Sequence, residues 1–326
     1  VYHHFESKGE YGIKLTVHYQ GGRKARSGSI HILPLTITVP ERRTNDFALY
    51  DISGYMNVTN PEGLYSGTLP PQLGGGEFTV TEVDVTYESK DSATVNVRPT
   101  TPQEDGFGAI HTTVPTETKA ELDLTFTARP SEGPPVSLGG ELSSEETAYE
   151  DLKNGRTIKT KVISHFTLDN PMSPSTPAMS FEEAATLYPL LRKAGVELSV
   201  SSLRENRTFT EGEDFGVGGY DIGVPYGWQV VGADNINGFR CLKLRIVPDT
   251  QLLSDAGIDT MTVYMWLSSQ ASLPVKTYIY FQATYGDNDT EGLYVSEMLS
   301  FTQGTDEISW GTCSFEPPPD NAQDHY

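Results

Sequence analysis

The residues best suited to hold a metal ion lie in one short acidic run, Asp287–Gly292. Asp287, Asp289 and Glu291 stand at alternate positions of this run, and a glycine follows them. Oxygen ligands with this spacing resemble the opening half of a calcium loop. The twelfth position of such a loop carries a bidentate glutamate, whereas this chain has Met298 there. The run therefore predicts either a calcium site or an acidic hairpin turn between two strands.

Two cysteines and three glycosylation sequons bear on the compartment in which the protein works. Cys241 and Cys313 are either two separate buried thiols or one disulfide bond, and a disulfide requires an oxidising compartment. Asn57, Asn206 and Asn288 each open an Asn-x-Thr sequon, the acceptor for N-glycosylation in secreted proteins. We predict a disulfide between the two cysteines and glycans on the three asparagines.

The sequence carries no motif of the common catalytic classes. Its seven histidines do not fall in a frame such as His-Glu-x-x-His, and the chain contains neither a Gly-x-Ser-x-Gly elbow nor a phosphate loop. The adjacent carboxylates Glu145-Glu146 and Glu182-Glu183 are expected in the first turns of helices, where their negative charge interacts favourably with the helix dipole. We therefore predict that the protein is not an enzyme and that calcium is its one candidate cofactor.

The net charge of the chain bears on its partners. At −21, the protein repels phosphate backbones and anionic lipid head groups, so we predict no nucleic-acid partner. No run of eighteen apolar residues occurs, so we predict no transmembrane segment. The first residue is Val1 rather than methionine, which is what removal of a signal peptide leaves. We expect an extracellular, cell-surface or periplasmic protein.

Residues 1–133 are predicted to form an antiparallel β domain of the sandwich or jelly-roll type. Tyr11–Tyr19 and Leu122–Ala128 alternate apolar and polar residues, which places one face of each strand on a core and the other in water. Turn signals such as Gly74-Gly75-Gly76 separate the strand candidates. The chain as a whole is therefore expected to be mainly β.

Residues 134–176 are predicted to be a connector. The capping box Ser143–Glu146 opens a short helix, and Asn154-Gly155 ends it. A long strand is expected from Thr157 to Leu168, because its apolar residues recur on one face.

Residues 177–326 are predicted to combine one helix with a curved antiparallel sheet. Ser180 with Glu183 forms a second capping box, and an apolar stripe continues from there to Ala194. Pro189 is expected to kink this helix. The chain then returns to strands until about Gln303.

The segments from about residue 227 to residue 303 follow a distinctive order: a strand, an Asn-Gly turn, a strand, a Trp-containing strand, a Leu-Pro-x-Lys segment and a long hairpin. They are Trp228–Gly232, Asp234–Gly238, Phe239–Ile246, Thr262–Leu267, Leu273–Lys276, Thr277–Tyr285 and Gly292–Thr302. This order resembles the periplasmic lipoprotein-carrier half-barrels of the LolA/LolB type, in which a helix packs against the concave face of a sheet. The resemblance covers about 100 to 120 of the 326 residues.

The resemblance implies an open, curved sheet that holds an acyl chain. The apolar pocket would lie between the Ser180 helix and the sheet. Its expected lining residues are Leu187, Leu191, Val230, Leu244 and Val263. A carrier or binder of lipid or another apolar ligand is therefore one hypothesis for the function.

The other hypothesis is a non-catalytic structural protein that self-assembles into an extracellular filament, sheath or lattice. The β-rich build and the acidic composition favour it, and the 17 tyrosines favour a large contact surface. The segment Val1–Glu6 or the C-terminal tail would pair with the exposed strand edge of a neighbouring copy. We expect a homo-oligomer or polymer of this kind, and we keep the carrier as the alternative.

Overall fold

The fold is described from a computed structural model. It describes residues 9–32, 35–68, 77–106, 108–153, 157–169, 179–187, 208–210, 212, 214–220, 225–248, 253–254 and 257–308. Its strands are β1 (Gly9–Tyr19), β2 (Gly22–Ile32), β3 (Thr36–Thr38), β4 (Arg43–Thr44), β5 (Phe47–Thr59), β6 (Tyr65–Thr68), β7 (Glu77–Ser89), β8 (Ala93–Val97), β9 (Thr101–Glu104), β10 (Ile110–Pro130), β11 (Val136–Asp151), β12 (Thr157–Leu168), β13 (Met179–Leu187), β14 (Thr208–Thr210), β15 (Asp214–Tyr220), β16 (Pro225–Ile236), β17 (Phe239–Pro248), β18 (Ile258–Ser268), β19 (Ala271–Tyr285), β20 (Asn288–Thr302) and β21 (Asp306–Glu307). The prediction of a mainly β protein is confirmed.

One antiparallel sheet of 15 strands dominates the molecule. Its main path runs β13-β12-β11-β10-β7-β5-β20-β19-β18-β17-β16-β15, with β6, β8 and β9 paired beside it. Strands β5 and β20 lie at the centre, where Phe47 pairs with Thr302 and Thr59 pairs with Asp289. This pairing joins strands of the predicted N-terminal domain to strands of the predicted C-terminal sheet. The boundaries predicted between the three segments stay a prediction.

Both helix predictions are wrong where the structure describes the chain. Met179–Leu187 forms β13, which pairs with β12 from Leu168 to Thr160, and residues 188–194 of the expected helix lie outside the described residues. The capping box at residues 143–146 lies inside β11, between β10 and β12. A capping box is a local signal worth about 1 kcal/mol, whereas a strand between two others satisfies its backbone groups on both sides. Long-range pairing therefore outweighs the local preference.

One core cluster covers the face of the sheet formed by β16, β17 and β18. Val230, Leu244 and Val263, three of the expected pocket residues, are at most 2% exposed there. The short pair β3–β14 lies against them and contributes Ile37 and Phe209 to the same cluster. The chain's own side chains therefore fill the face on which an apolar ligand was expected. The side chains of Leu187 and Leu191 lie outside the described residues.

Asp46 links three separate segments of the chain through hydrogen bonds. Its carboxylate is fully buried and accepts hydrogen bonds from the backbone N–H of Arg43 at 2.8 Å and of Gly304 at 2.7 Å. It also accepts from the hydroxyl of Ser272 in β19. The side chain therefore fixes the turn after β4 against β19 and against the segment that follows β20.

A buried ion pair fixes the segment before β4 to the sheet. The Arg42 guanidinium lies 2.8 Å from the Glu150 carboxylate in β11, and both side chains are about 5% exposed. The same guanidinium nitrogen donates to the hydroxyl of Thr116 in β10 at 3.4 Å. Burial lowers the pKa of Arg42 to about 10. Arg42 is therefore charged throughout the neutral range.

Candidate interaction surfaces

The predicted calcium residues lie at the hairpin turn between β19 and β20. Asp289 accepts a hydrogen bond from Thr284 at 3.1 Å, and Glu291 accepts one from Tyr55 at 2.6 Å. Alternate residues of a strand stand about 6.8 Å apart along its axis, so the strand spreads Asp289 and Glu291 rather than wrapping them around an ion. Among the described residues, no group of three or more His, Cys, Asp or Glu is placed to hold a metal. Asp289 and Glu291 belong to the hairpin of β19 and β20, and a calcium site at these residues stays a prediction.

Two of the three sequon asparagines lie in or at the start of a strand. The Asn57 amide nitrogen donates to Glu82 at 2.9 Å and to Asp84 at 2.5 Å. Asn288 accepts a hydrogen bond from Asn60 at 2.7 Å. A glycan on Asn57 would replace one amide hydrogen of this arrangement. Asn206 lies outside the described residues, and glycosylation at all three positions stays a prediction.

Cys241 is a fully buried residue of β17 whose thiol donates to the carbonyl of Phe239 at 3.3 Å. Burial, with a smaller contribution from the charge of Asp234, raises the pKa of this thiol to about 11. Cys241 has no disulfide partner among the described residues, and Cys313 lies outside them. The predicted bond between the two cysteines therefore stays a prediction.

A thiol titration separates the two states of the cysteines. If the disulfide forms, the denatured protein reacts with no equivalents of a thiol reagent before reduction and with two afterwards. If both thiols are free, the denatured protein reacts with two at once. In the native protein at about pH 8, a free Cys241 would react far more slowly than in denaturant, because only a small fraction of a thiol with so high a pKa is ionised. Finding two thiols without reductant would contradict the predicted bond.

Four tyrosines share one face of the sheet, and we call Tyr55, Tyr264, Tyr278 and Tyr280 the tyrosine face. Tyr264 in β18 stands directly opposite Tyr278 in β19, with ring centroids 6.0 Å apart. Leu293 in β20 stands opposite Tyr280 on one side and Tyr55 on the other. All four tyrosines are half-buried. The tyrosine face therefore extends from β18 to β5 across four adjacent strands.

At one end of the tyrosine face, the Glu291 carboxylate accepts hydrogen bonds from uncharged side chains. Its carboxylate accepts from the Tyr55 hydroxyl at 2.6 Å and from the Gln282 amide at 3.3 Å. These hydrogen bonds, with a further one from Tyr280, lower the pKa of Glu291. The bond to Glu291 raises the pKa of Tyr55 to about 12. At neutral pH the site therefore presents an ionised carboxylate among uncharged phenols.

Lysines cap the rings at the other end of the face. The Lys243 ammonium lies 4.0 Å from the centre of the Tyr264 ring and 5.0 Å from that of Trp266. Lys276 lies 5.6 Å from the Trp266 ring, and the indole N–H donates to Asp234 at 2.6 Å. Trp266 is 6% exposed. It is therefore covered by the chain itself. Lys243 likewise covers one side of the Tyr264 ring, and Tyr264 and Tyr278 pack against the core cluster that contains Trp266.

The hairpin β1–β2 is a second candidate surface, because it forms a two-stranded sheet of its own. Val17 and Tyr19 are 52% and 54% exposed, and the register places them on one face with Lys24. Residues 9–32 carry four basic residues and one acidic residue, a net charge of +3, so the remaining 302 residues carry −24. The hairpin is therefore a basic, exposed segment of a strongly acidic protein.

The comparisons with known proteins leave the family of this chain open. No protein-family model and no curated protein matches it. At the level of structure, the chain is similar to a β-barrel-like protein of domain of unknown function DUF1849 from Brucella abortus, at 10% identity and a TM-score of 0.27. That match covers 79% of this chain and 99% of the other. A TM-score this low carries no argument about fold or function.

Sequence reasoning missed both surfaces. The charge of the hairpin was hidden in the total of −21, and a local count over residues 9–32 would have found it. The number of tyrosines was visible in the sequence, whereas their meeting on one face depends on pairing between β5, β20, β19 and β18.

The part of the chain that the structure describes contains no helix with the length and hydropathy of a membrane span.

Proposed function

We propose that this chain is a non-catalytic secreted protein of a cell surface, and that copies of it assemble with one another into a filament, sheath or lattice. The observation that carries the proposal is the basic hairpin β1–β2, which forms a two-stranded sheet separate from the main sheet of an acidic protein. The acidic composition, the sequons and the cysteine pair support a secreted location.

The hairpin has the physical properties of a docking arm. An isolated two-stranded hairpin is marginally stable in water and gains stability by packing against another surface. Val17 and Tyr19 supply exposed apolar area, while Arg23, Lys24 and Arg26 supply exposed positive charge. The body of a second copy is the complementary partner, because its charge is strongly negative. Such complementarity sets the orientation of the partners and speeds their association.

The strand edges are a weaker support for assembly than the arm. Within the described residues β13 is the last strand on its side of the sheet. Its exposed residues include Glu182 and Glu183, and charges of this kind hinder pairing between two edges. Val1–Glu6 and the C-terminal tail, which were expected to pair with an edge, lie outside the described residues. The proposal therefore assigns the contact to the hairpin.

The alternative, a carrier of lipid or another apolar ligand, is less well supported. Ile37 and Phe209 occupy the face on which the expected pocket residues lie. A ligand there would have to displace the β3–β14 pair and expose Phe209, which is fully buried. The packing of this face therefore does not favour the carrier.

Reversing the charge of the arm is expected to abolish assembly. The variant carries Arg23→Glu, Lys24→Glu and Arg26→Glu, and its control carries Lys161→Glu, Arg240→Glu and Arg245→Glu at exposed positions of the main sheet. Both variants change the net charge equally, so they differ only in where the charge changes. Sedimentation velocity of the full chain should show dimers or larger species for the wild type and the control, and monomers for the arm variant.

The dependence of assembly on salt and on protein concentration tests the proposal further. Assembly through charge should weaken between about 0.05 M and about 0.5 M NaCl, because screening shortens the range of the attraction. A wild type that stays monomeric at every concentration at low salt would overturn the proposal. Binding of the arm to anionic vesicles in place of a second copy would overturn it as well.

A further inference from the structure

We infer that the tyrosine face binds an oligosaccharide. This inference is independent of assembly, because the face lies on the main sheet and shares no residue with the hairpin. The rings, the carboxylate among them and the length of the face suit such a ligand.

The rings offer apolar surface in a row, with the planes of Tyr264 and Tyr278 tilted by 48° to each other. Tyr264 and Tyr278 stand side by side at 6.0 Å, and Tyr280 follows Tyr278 two residues along β19. A tyrosine presents an apolar ring and a polar hydroxyl, which suits a ligand with one apolar face and a wet edge. Sugar rings have this character, because their C–H bonds form flat faces while their hydroxyls project from the rim.

Glu291 supplies the polar half of the recognition. Its carboxylate is held by Tyr55 and Gln282 at the edge of the rings. Hydrogen bonds to an ionised carboxylate are roughly twice as strong as those between neutral groups. A carboxylate, an amide and two phenols together can accept from and donate to several hydroxyls, in addition to the hydrogen bonds that they make with one another.

The charge of the protein narrows the class of saccharide. The chain carries −21 overall, and Glu291 places part of this negative charge at one end of the face, while Lys243 and Lys276 lie at the other end. Sulfated and uronic-acid polymers are therefore disfavoured by repulsion, and a neutral or amino saccharide is the ligand that fits. The face crosses four strands from β18 to β5, a width of about 14 Å. A chain of several sugars covers this width, whereas a single sugar does not.

A structural role for the tyrosines is the competing explanation. Tyrosines on neighbouring strands stabilise a sheet through their cross-strand contacts. Variants that separate the two roles must leave the fold intact while removing either the ring or the carboxylate. Tyr280→Ala removes a ring, Tyr280→Phe keeps the ring and removes the hydroxyl, and Glu291→Gln removes the charge.

Calorimetric titration of the full chain with cellohexaose, chitohexaose and mannohexaose tests the inference. We expect at least one of the three to bind, and Tyr280→Ala to weaken it about tenfold, the equivalent of about 1.4 kcal/mol. Glu291→Gln should weaken it by a smaller factor, and Tyr280→Phe least of all. The control is Tyr285→Ala, because Tyr285 lies on the same strand and is 79% exposed but is outside the tyrosine face.

The melting temperature of each variant separates binding from folding. The inference holds if Tyr280→Ala loses affinity at an unchanged melting temperature while Tyr285→Ala keeps wild-type affinity. It is overturned if none of the three saccharides binds the wild type, or if Tyr280→Ala and Tyr285→Ala bind equally. If Tyr280→Ala melts early, Glu291→Gln decides, and wild-type affinity in that variant overturns the inference.

Discussion

Replacing Arg42 by alanine is expected to lower the free energy of unfolding by about 3–5 kcal/mol, because it removes one member of a buried ion pair. Glu150 is 4% exposed, and its carboxylate would stay buried without the cation that lies 2.8 Å away. Arg42 itself stays charged between about pH 6 and 9, since its pKa, lowered to about 10 by burial, lies above that range. Equilibrium urea denaturation measures the loss.

Arg43→Ala is the matched control for this prediction. The Arg43 guanidinium pairs with Glu307 at 3.0 Å, but the two side chains are 32% and 70% exposed. Exposed pairs contribute about 0–1 kcal/mol, so this variant should unfold almost like the wild type. The double variant Arg42→Met with Glu150→Leu should recover most of the loss, because an apolar pair leaves no unpaired charge. Equal losses for Arg42→Ala and Arg43→Ala would contradict the explanation.

Asp46→Ala is expected to be the second variant with a large effect, at about 3–6 kcal/mol. It removes the acceptor of three hydrogen bonds in a fully buried position, and each donor left unsatisfied costs about 1–3 kcal/mol. Arg43 and Gly304 would each keep a partly buried N–H without its present partner. The midpoint of urea denaturation should fall accordingly.

Two further variants test whether Asp46 acts as the link between segments. Asp51→Ala removes an exposed carboxylate that accepts from Ser89 at 2.8 Å, and it should change the stability by less than about 1 kcal/mol. Gly304→Ala should destabilise strongly, because its new Cβ would overlap the carbonyl oxygen of Thr44. If Gly304→Ala were as stable as the wild type, the tight junction around Asp46 would not exist as described.

The strands with regular alternation could be predicted from the sequence. The expected strand Thr157–Leu168 has the bounds of β12, and Leu122–Ala128 lies inside β10. The expected turn at Asn237-Gly238 joins β16 to β17, and both residues have positive φ, at 48° and 87°. Asparagine and glycine are the residues that tolerate this conformation in tight hairpins. These features depend on a few neighbouring residues, and so a sequence specifies them.

The two helix predictions failed because they depended on the ends of helices alone. Capping boxes at residues 143–146 and 180–183 are local signals, and neither contains information about a strand that arrives from elsewhere in the chain. Glu182 in β13 pairs with His165 in β12, and Glu145 in β11 pairs with Lys119 in β10. The sheet offers each segment a ladder of backbone hydrogen bonds that a short helix cannot match.

By itself, the sequence determined the mainly β class, the acidic character and the turns, because period, charge and backbone preference belong to single residues and their neighbours. Only the tertiary structure decided that Tyr55 and Tyr280 lie on either side of Leu293, that Phe209 packs on the face of β17, and that Arg42 pairs with Glu150. The alternation of apolar and polar residues along a strand indicates which residues share a face. Which strand lies next to it depends on pairing between distant segments of the chain. The physical reason is that the strand period repeats identically in every strand, so that it cannot encode which strands become neighbours.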